Sequence, residues 1–285
     1  MMHEQQQSAP VATPSPLRTN QRNRYRALRE FALGAAVVES TPLSLQIARS
    51  NRCNFHCAYC ADHRAGSTVP RSELPPATWS DLLALIPDTS TMAFHGISEF
   101  LIDPEFFTIL ERCANAGVEL SINTNGSVCT ERHVEALSAY PNPLYVNFSI
   151  DAATPATYAR IRKWDFERLL RNIGTYMAAF PRRRATTRTT ISYVICASNL
   201  HETADAVRLA HRLGLGGVKF YRLHEYPGLD WTVPTPVGGD FDYRAEHTSR
   251  IPAEHDAAIE AAERVAAELG VAIEVPQRYA AGGQP

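Results

Sequence analysis

The chain has 285 residues, 45% of them hydrophobic, and a formal charge of -2, which suits one large or two small domains with a substantial apolar core. Near balance of acids and bases excludes the strong field of a nucleic-acid or membrane-surface binder, and no window approaches the ~18 consecutive apolar residues of a membrane helix. Six cysteines, three of them within eight residues, do not make a disulfide framework in a chain this long, so the expectation is a soluble cytoplasmic protein whose clustered thiols hold metal.

Residues 1–16, rich in Gln, Ser, Pro and Ala, lack the charged and apolar regions of a signal peptide and read as a disordered tail. Residues 24–33 space Tyr25, Leu28, Phe31 and Leu33 as a helix does, before the stop signal Gly34. A strand is predicted over 43–48, with the cysteine segment at its end. Strand 91–95, helix 104–116 and strand 118–122 follow, then helix 130–139 opening on Thr130, strand 144–150 and helix 165–180. Strand 189–196, helix 202–213 and strand 218–223 continue the alternation. Six such units predict a parallel α/β architecture, because parallel strands need crossovers and helices are the usual ones. Three arginines at 182–184 read as a solvated turn between helix and strand. The irregular stretch 225–250, with Trp231 and Phe241, reads as a substrate lid, and helix 253–269 with strand 271–275 closes the pattern. The expected division is 1–38 for tail and short helix, 39–250 for the main domain with its lid, and 251–285 for a C-terminal helix, strand and tail.

Residues 53–60 read C-N-F-H-C-A-Y-C, a C-x3-C-x2-C spacing directly after the first strand. Three thiolates hold three irons of a cubane, whereas a simple electron-transfer cluster takes four cysteines. One iron then stays open to the amino and carboxylate groups of a small molecule. A competing reading is a Cys3His zinc site of Cys53, Cys57, Cys60 and His63; iron, sulfide and zinc analysis separates the two.

The cysteine spacing, with aromatic Tyr59 before the last ligand, resembles the signature of the radical S-adenosylmethionine (SAM) superfamily. The resemblance covers roughly residues 43–225. His95-Gly96-Ile97-Ser98-Glu99 resembles the glycine-rich segment that meets the SAM amino group, and Thr124-Asn125-Gly126 the T-N-G turn after the third strand. Ser149-Ile150-Asp151 is similar to the S-x-D that approaches the ribose. Tyr158 to Arg162 matches Y-x-x-I-R, which makes Arg162 the candidate partner of the SAM carboxylate. The segment departs from the family's G-G-E-P at Ser98, which fits without strain if its φ is negative, and at Phe100, which replaces a turn-shaping proline.

This resemblance implies a partial (βα)6 barrel of the TIM type, with ligands at the C-terminal ends of the strands. It implies a [4Fe-4S] cluster on Cys53, Cys57 and Cys60, and SAM held by Tyr59, Gly96, Ser98, Glu99, Asn125, Ser149, Asp151 and Arg162. The implied chemistry is one-electron cleavage of SAM and hydrogen abstraction from a substrate, with an external donor such as flavodoxin or ferredoxin. A small-molecule biosynthetic intermediate is the expected substrate and a peptide the runner-up; a barrel that binds SAM without turnover is the non-enzymatic alternative. The stretch 149–173 is closest to members with a C-terminal cysteine-rich extension, absent here, and one cluster is expected. Cys196, at the end of the fifth strand, is either a hydrogen donor to a substrate radical or a small buried apolar residue. Cys113 and Cys129 read as apolar, and Tyr145 and Tyr193 as core.

Overall fold

In the computed structural model, which describes residues 18–180 and 187–280, the strands form one parallel sheet. The expected tail at 1–16 and the arginine turn at 182–184 lie outside the described residues. The strands are β1 (Ser44–Gln46), β2 (Thr91–Phe94), β3 (Glu119–Thr124), β4 (Leu144–Ser149), β5 (Thr187–Ile195), β6 (Gly217–Arg222), a hairpin of β7 (Thr232–Pro234) and β8 (Asp240–Asp242), and β9 (Ala272–Glu274). The large sheet runs β1-β2-β3-β4-β5-β6-β9 with every neighbouring pair parallel.

Between the strands run α2 (Pro76–Ala84), α3 (Phe106–Ala116), α4 (Glu131–Ser138), α5 (Pro155–Arg162), α6 (Phe166–Ala179), α7 (Thr203–Leu213) and α8 (Pro252–Leu269), with α1 (Thr19–Ala32) ahead of β1. A strand order that never reverses, with helices as the crossovers, leaves the helices on one face and curls the sheet toward a barrel. Among the described residues β1 and β9 do not pair, so the barrel is partial, as expected. The C-terminal helix and strand are continuous with it, since β9 adds a seventh strand on β6.

Period-two alternation sorts the two faces. Met92, Phe94, Leu120, Ile122, Val146, Phe148, Ile191, Tyr193, Val218 and Phe220 are buried in the main core. The alternate positions Ser121, Asn123, Asn147, Thr190, Ser192 and Lys219 are polar and line the concave face. Of the two strand tyrosines, Tyr193 is core, its hydroxyl donating to the Asn199 carbonyl at 2.9 Å. Tyr145 instead sits half-buried among the alternate positions, with the Arg188 guanidinium 5.5 Å from its ring centre.

Helix α1 starts at Thr19, ahead of its predicted onset, and buries Asn20 and Asn23 rather than its apolar residues. The Asn23 amide donates to Asp88 O (2.9 Å) and Thr41 O (3.1 Å), and Asn20 to Thr89 O (3.3 Å). Tyr25, Leu28, Phe31 and Leu33 are exposed. Their spacing reports a helix but not which face docks, and here the docking surface is a row of loop carbonyls that only amide donors satisfy. Helices α2 and α5 were not predicted; both begin with Pro at the first helical position, where its missing N–H costs nothing. No helix among the described residues is long and apolar enough to cross a membrane.

Candidate functional site

The cysteine segment leaves β1 and crosses the C-terminal ends of the next strands. Four contacts hold it: Glu99 N donates to Arg52 O (2.9 Å), Ala58 N to Ile161 O at the end of α5 (2.8 Å), Trp231 Nε1 to Ala58 O (2.8 Å), and Phe55 packs on Trp164 with ring centres 5.3 Å apart. Cys57 is buried, while Cys53 and Cys60 are half-buried.

Each sulfur faces nitrogen donors. Phe55 N donates to Cys53 Sγ at 3.4 Å, Arg162 Nη1 to Cys57 Sγ at 3.5 Å, and the backbone of Asp62 and His63 bonds Cys60. Burial pushes all three thiols up, Cys57 to about 12. N–H donors aimed at sulfur stabilise the thiolate, the form that ligates metal, so these residues fit a cluster.

They do not fit the zinc reading. His63 is buried, with Nδ1 accepting from Arg71 Nη1 (2.9 Å) and Nε2 donating to Ile97 O (2.8 Å), so neither ring nitrogen is free to ligate.

The strand-end motifs converge beside this segment. Gly96 has φ 131°, open only to glycine, and is exposed; Ser98 is not among the positive-φ residues, so the expected condition for its fit is met. Phe100 is buried, stacked on Phe94 at 3.7 Å and edge-on to Phe106 at 5.1 Å, filling core where a proline would shape the turn. The Glu99 carboxylate is buried and accepts from Asn125 N (2.7 Å), Thr124 Oγ1 (2.8 Å) and Leu101 N (3.2 Å). Asn125 in turn donates to Asn54 Oδ1 (2.9 Å) and lies 3.9 Å from Cys53 Sγ. The T-N-G turn thereby ties Glu99 to the cysteine segment. Gly126 is required in it, since its φ is 70° and a Cβ would stand 2.5 Å from Leu169.

Ser149 is half-buried at the end of β4. Asp151, fully buried at φ 59°, accepts from Val194 N at Oδ1 (2.7 Å) and from the Tyr59 hydroxyl at Oδ2 (2.7 Å). Arg162 Nε lies 2.6 Å from the same Oδ2, off the N–H axis, which makes the contact an ion pair rather than an aligned hydrogen bond. Burial works against the guanidinium, and the Asp151 carboxylate outweighs it to hold the charge firmly. Thus the polar groups of Glu99, Asp151 and Arg162, expected to face SAM, are engaged by protein partners, while Gly96, Ser98 and Ser149 keep exposed surface.

The Radical SAM superfamily model matches residues 47–219. The chain belongs to the radical SAM superfamily. This radical SAM chain is 35% identical over 127 residues to a probable GTP 3',8-cyclase of Methanothermobacter thermautotrophicus, covering 44% of this chain and 40% of that protein. It spans about half or less of the length of the curated relatives it matches. Among solved structures, SuiB of Streptococcus suis bound to precursor peptide SuiA superposes with TM-score 0.62 at 14% identity, over 90% of this chain and 53% of SuiB. The AdoMet-bound anSMEcpe gives 0.59 at 16%, over 82% and 64%. Membership brings the family's cofactors, a [4Fe-4S] cluster and SAM.

Cys196 has no exposed surface and packs with Ala58, Ile161, Leu223, Trp231 and Phe241 in a second apolar cluster, the setting of the small buried residue. Two residues of this radical SAM site carried no sequence signal. Asn199 is fully buried and bonds Cys196 N, Val194 O and Asp151 O (2.7, 2.8 and 2.9 Å). The Glu202 carboxylate accepts from Ala153 N (2.6 Å), Thr154 Oγ1 (2.5 Å) and Thr157 Oγ1 (2.6 Å), capping the helix that presents Arg162. Both lie after β5, yet serve motifs that follow β4.

Proposed function

We propose that this protein cleaves SAM reductively and uses the radical so formed to abstract hydrogen from a small polar substrate, a sugar, nucleoside or related biosynthetic intermediate. The cluster, when bound on Cys53, Cys57 and Cys60, supplies the electron that converts SAM to methionine and a 5'-deoxyadenosyl radical. The chain's own residues orient and shield. Exposed Gly96, with Ser98 and Ser149, offers surface to SAM; Glu99 and Asn125 shape that surface from behind, and Tyr59 and Asp151 brace the ribose side. Electrons come from an external one-electron donor such as flavodoxin or ferredoxin.

The observation that carries the substrate class is the concave face. Across it His95 Nε2 bonds Ser121 Oγ (2.8 Å), Thr190 donates to Asn147, and Lys219 pairs with Glu274 (2.9 Å). Burial and neighbouring Lys219 push the His95 ring toward its neutral form, in which it both donates and accepts. Such a lining favours a hydroxyl- and amide-bearing molecule over an apolar one. The likeness to the probable GTP 3',8-cyclase supports the same class.

Anaerobically reconstituted protein with SAM and dithionite, supplied in turn with nucleotides, sugar nucleotides and peptides, tests this reading. Deuterium transfer from a labelled nucleotide or sugar into 5'-deoxyadenosine is expected. Transfer from peptides alone would replace the small-molecule reading with the peptide one.

A further inference from the structure

Arg162 occupies a place that the SAM-carboxylate role does not explain. Its side chain is 9% exposed and its Nη1 donates to Cys57 Sγ at 3.5 Å. Nε stands 2.6 Å from the wholly buried Asp151 carboxylate, and the guanidinium lies 5.4 Å from the Tyr59 ring centre. The neighbours leave no slack. Asp151 is pinned by Val194 N and the Tyr59 hydroxyl, α5 is capped by Glu202, and its last turn accepts Ala58 N from the cysteine segment. Turning the guanidinium toward a ligand would break a buried ion pair and strand the Asp151 charge without its partner.

We infer that Arg162 is a positioning residue for the cluster, a fixed positive charge on Cys57 whose strength Asp151 sets, rather than the partner of the SAM carboxylate. This rests on the reading of Cys53, Cys57 and Cys60 as cluster ligands. A positive charge held in a low-dielectric site favours the more negative, reduced form of whatever the thiolate ligates, so Arg162 raises the reduction potential. Asp151 opposes it through the same geometry. The two residues therefore have effects of opposite sign, which a merely structural role would not produce.

The test is an EPR-monitored reductive titration of the reconstituted protein without SAM, with SAM binding measured separately by equilibrium dialysis. Arg162→Gln is expected to make reduction at least roughly tenfold less favourable, which is a shift of about 59 mV to more negative potential for one electron. Arg162→Lys should restore the potential toward wild type, and Asp151→Asn should move it the other way. Asn accepts the left-handed backbone, so Asp151→Asn and Arg162→Lys carry the test if Arg162→Gln does not retain its cluster. SAM affinity should change little in Arg162→Gln. An unchanged potential in Arg162→Gln, a negative shift in Asp151→Asn, or loss of SAM binding at unchanged potential would each overturn the inference. Absence of a [4Fe-4S] signal in the wild-type protein would instead overturn the ligand reading beneath it.

Discussion

Glu99 carries a carboxylate with almost no exposed surface, and burial raises its pKa above the ordinary 4.5 although three hydrogen bonds pull the other way. Folded protein then retains a proton that the unfolded chain releases, so the stability due to Glu99 is full below about the ordinary value and declines as pH rises through the raised one. Glu99→Gln should remove that decline. Glu99→Ala should cost about 1–3 kcal/mol by leaving Thr124 and the Asn125 amide without an acceptor. Denaturant titrations across pH check both, and identical pH slopes for wild type and Glu99→Gln would refute the assignment. For the thiols the expectation is sharper: Cys53, Cys57 or Cys60→Ala abolishes the brown chromophore and SAM cleavage, while Cys113→Ala leaves both, since Cys113 is buried 3.5 Å from Met92 Sδ in the core. Iron retained in full by a triad variant would displace that ligand. The spacing that nominates the triad was legible because it lies within one short segment. The partners of Glu99 were not, because Thr124 and Asn125 reach it only through strand pairing.

At the scale of elements, the stretch 225–250 behaves as a buttress. Its hairpin β7-β8 brings Val233 and Phe241 onto Cys196 and Leu223, while Trp231 stacks on Tyr243 at 3.7 Å, lies under the Arg64 guanidinium at 4.1 Å and donates to Ala58 O inside the cysteine segment. Its aromatics marked it as more than a linker, but prolines and glycines concealed the hairpin. Trp231→Ala should cost about 3–5 kcal/mol and hasten cluster loss in air, since it uncovers the backbone between Cys57 and Tyr59. Trp231→Phe keeps an aromatic ring but loses the N–H donor and part of the buried indole, so it should cost less than Trp231→Ala while exceeding the about 0.5–1.5 kcal/mol of one hydrogen bond. Thermal melts and the decay of cluster absorbance under oxygen measure the two effects; equal behaviour of Trp231→Ala and wild type would show that the hairpin does not support the segment. Helix α1 teaches the complementary lesson. Apolar periodicity located it, yet Asn20 and Asn23 dock it, because carbonyls rather than side chains form the surface it meets.

In the molecule as a whole the cysteines outside the triad are dispersed: Cys113 on α3, Cys129 beside Asn172 O at 3.6 Å ahead of α4, and Cys196 in the second apolar cluster. A second cubane needs several convergent thiolates, and these three cysteines stand on separate elements. Reconstituted chain should therefore carry about four irons and four sulfides, the content of one cubane; about eight by iron analysis and Mössbauer spectroscopy would contradict this.

The order of the main strands, the parallel sheet and the three-cysteine spacing are legible in sequence alone, because period-two alternation and a three-thiol loop are properties of short segments, whereas α2, α5 and the β7-β8 hairpin carry no such signal. Which groups face one another does not. Arg162 meets Cys57 and Asp151, and Asn199 meets Asp151, only after the strands have wound side by side and brought their C-terminal ends to one rim. A motif records that an arginine or a carboxylate is present, and its charge then goes to whichever opposite charge or donor burial leaves nearest. For Arg162 that is Asp151 and the Cys57 sulfur, held by contacts between segments that no local spacing relates.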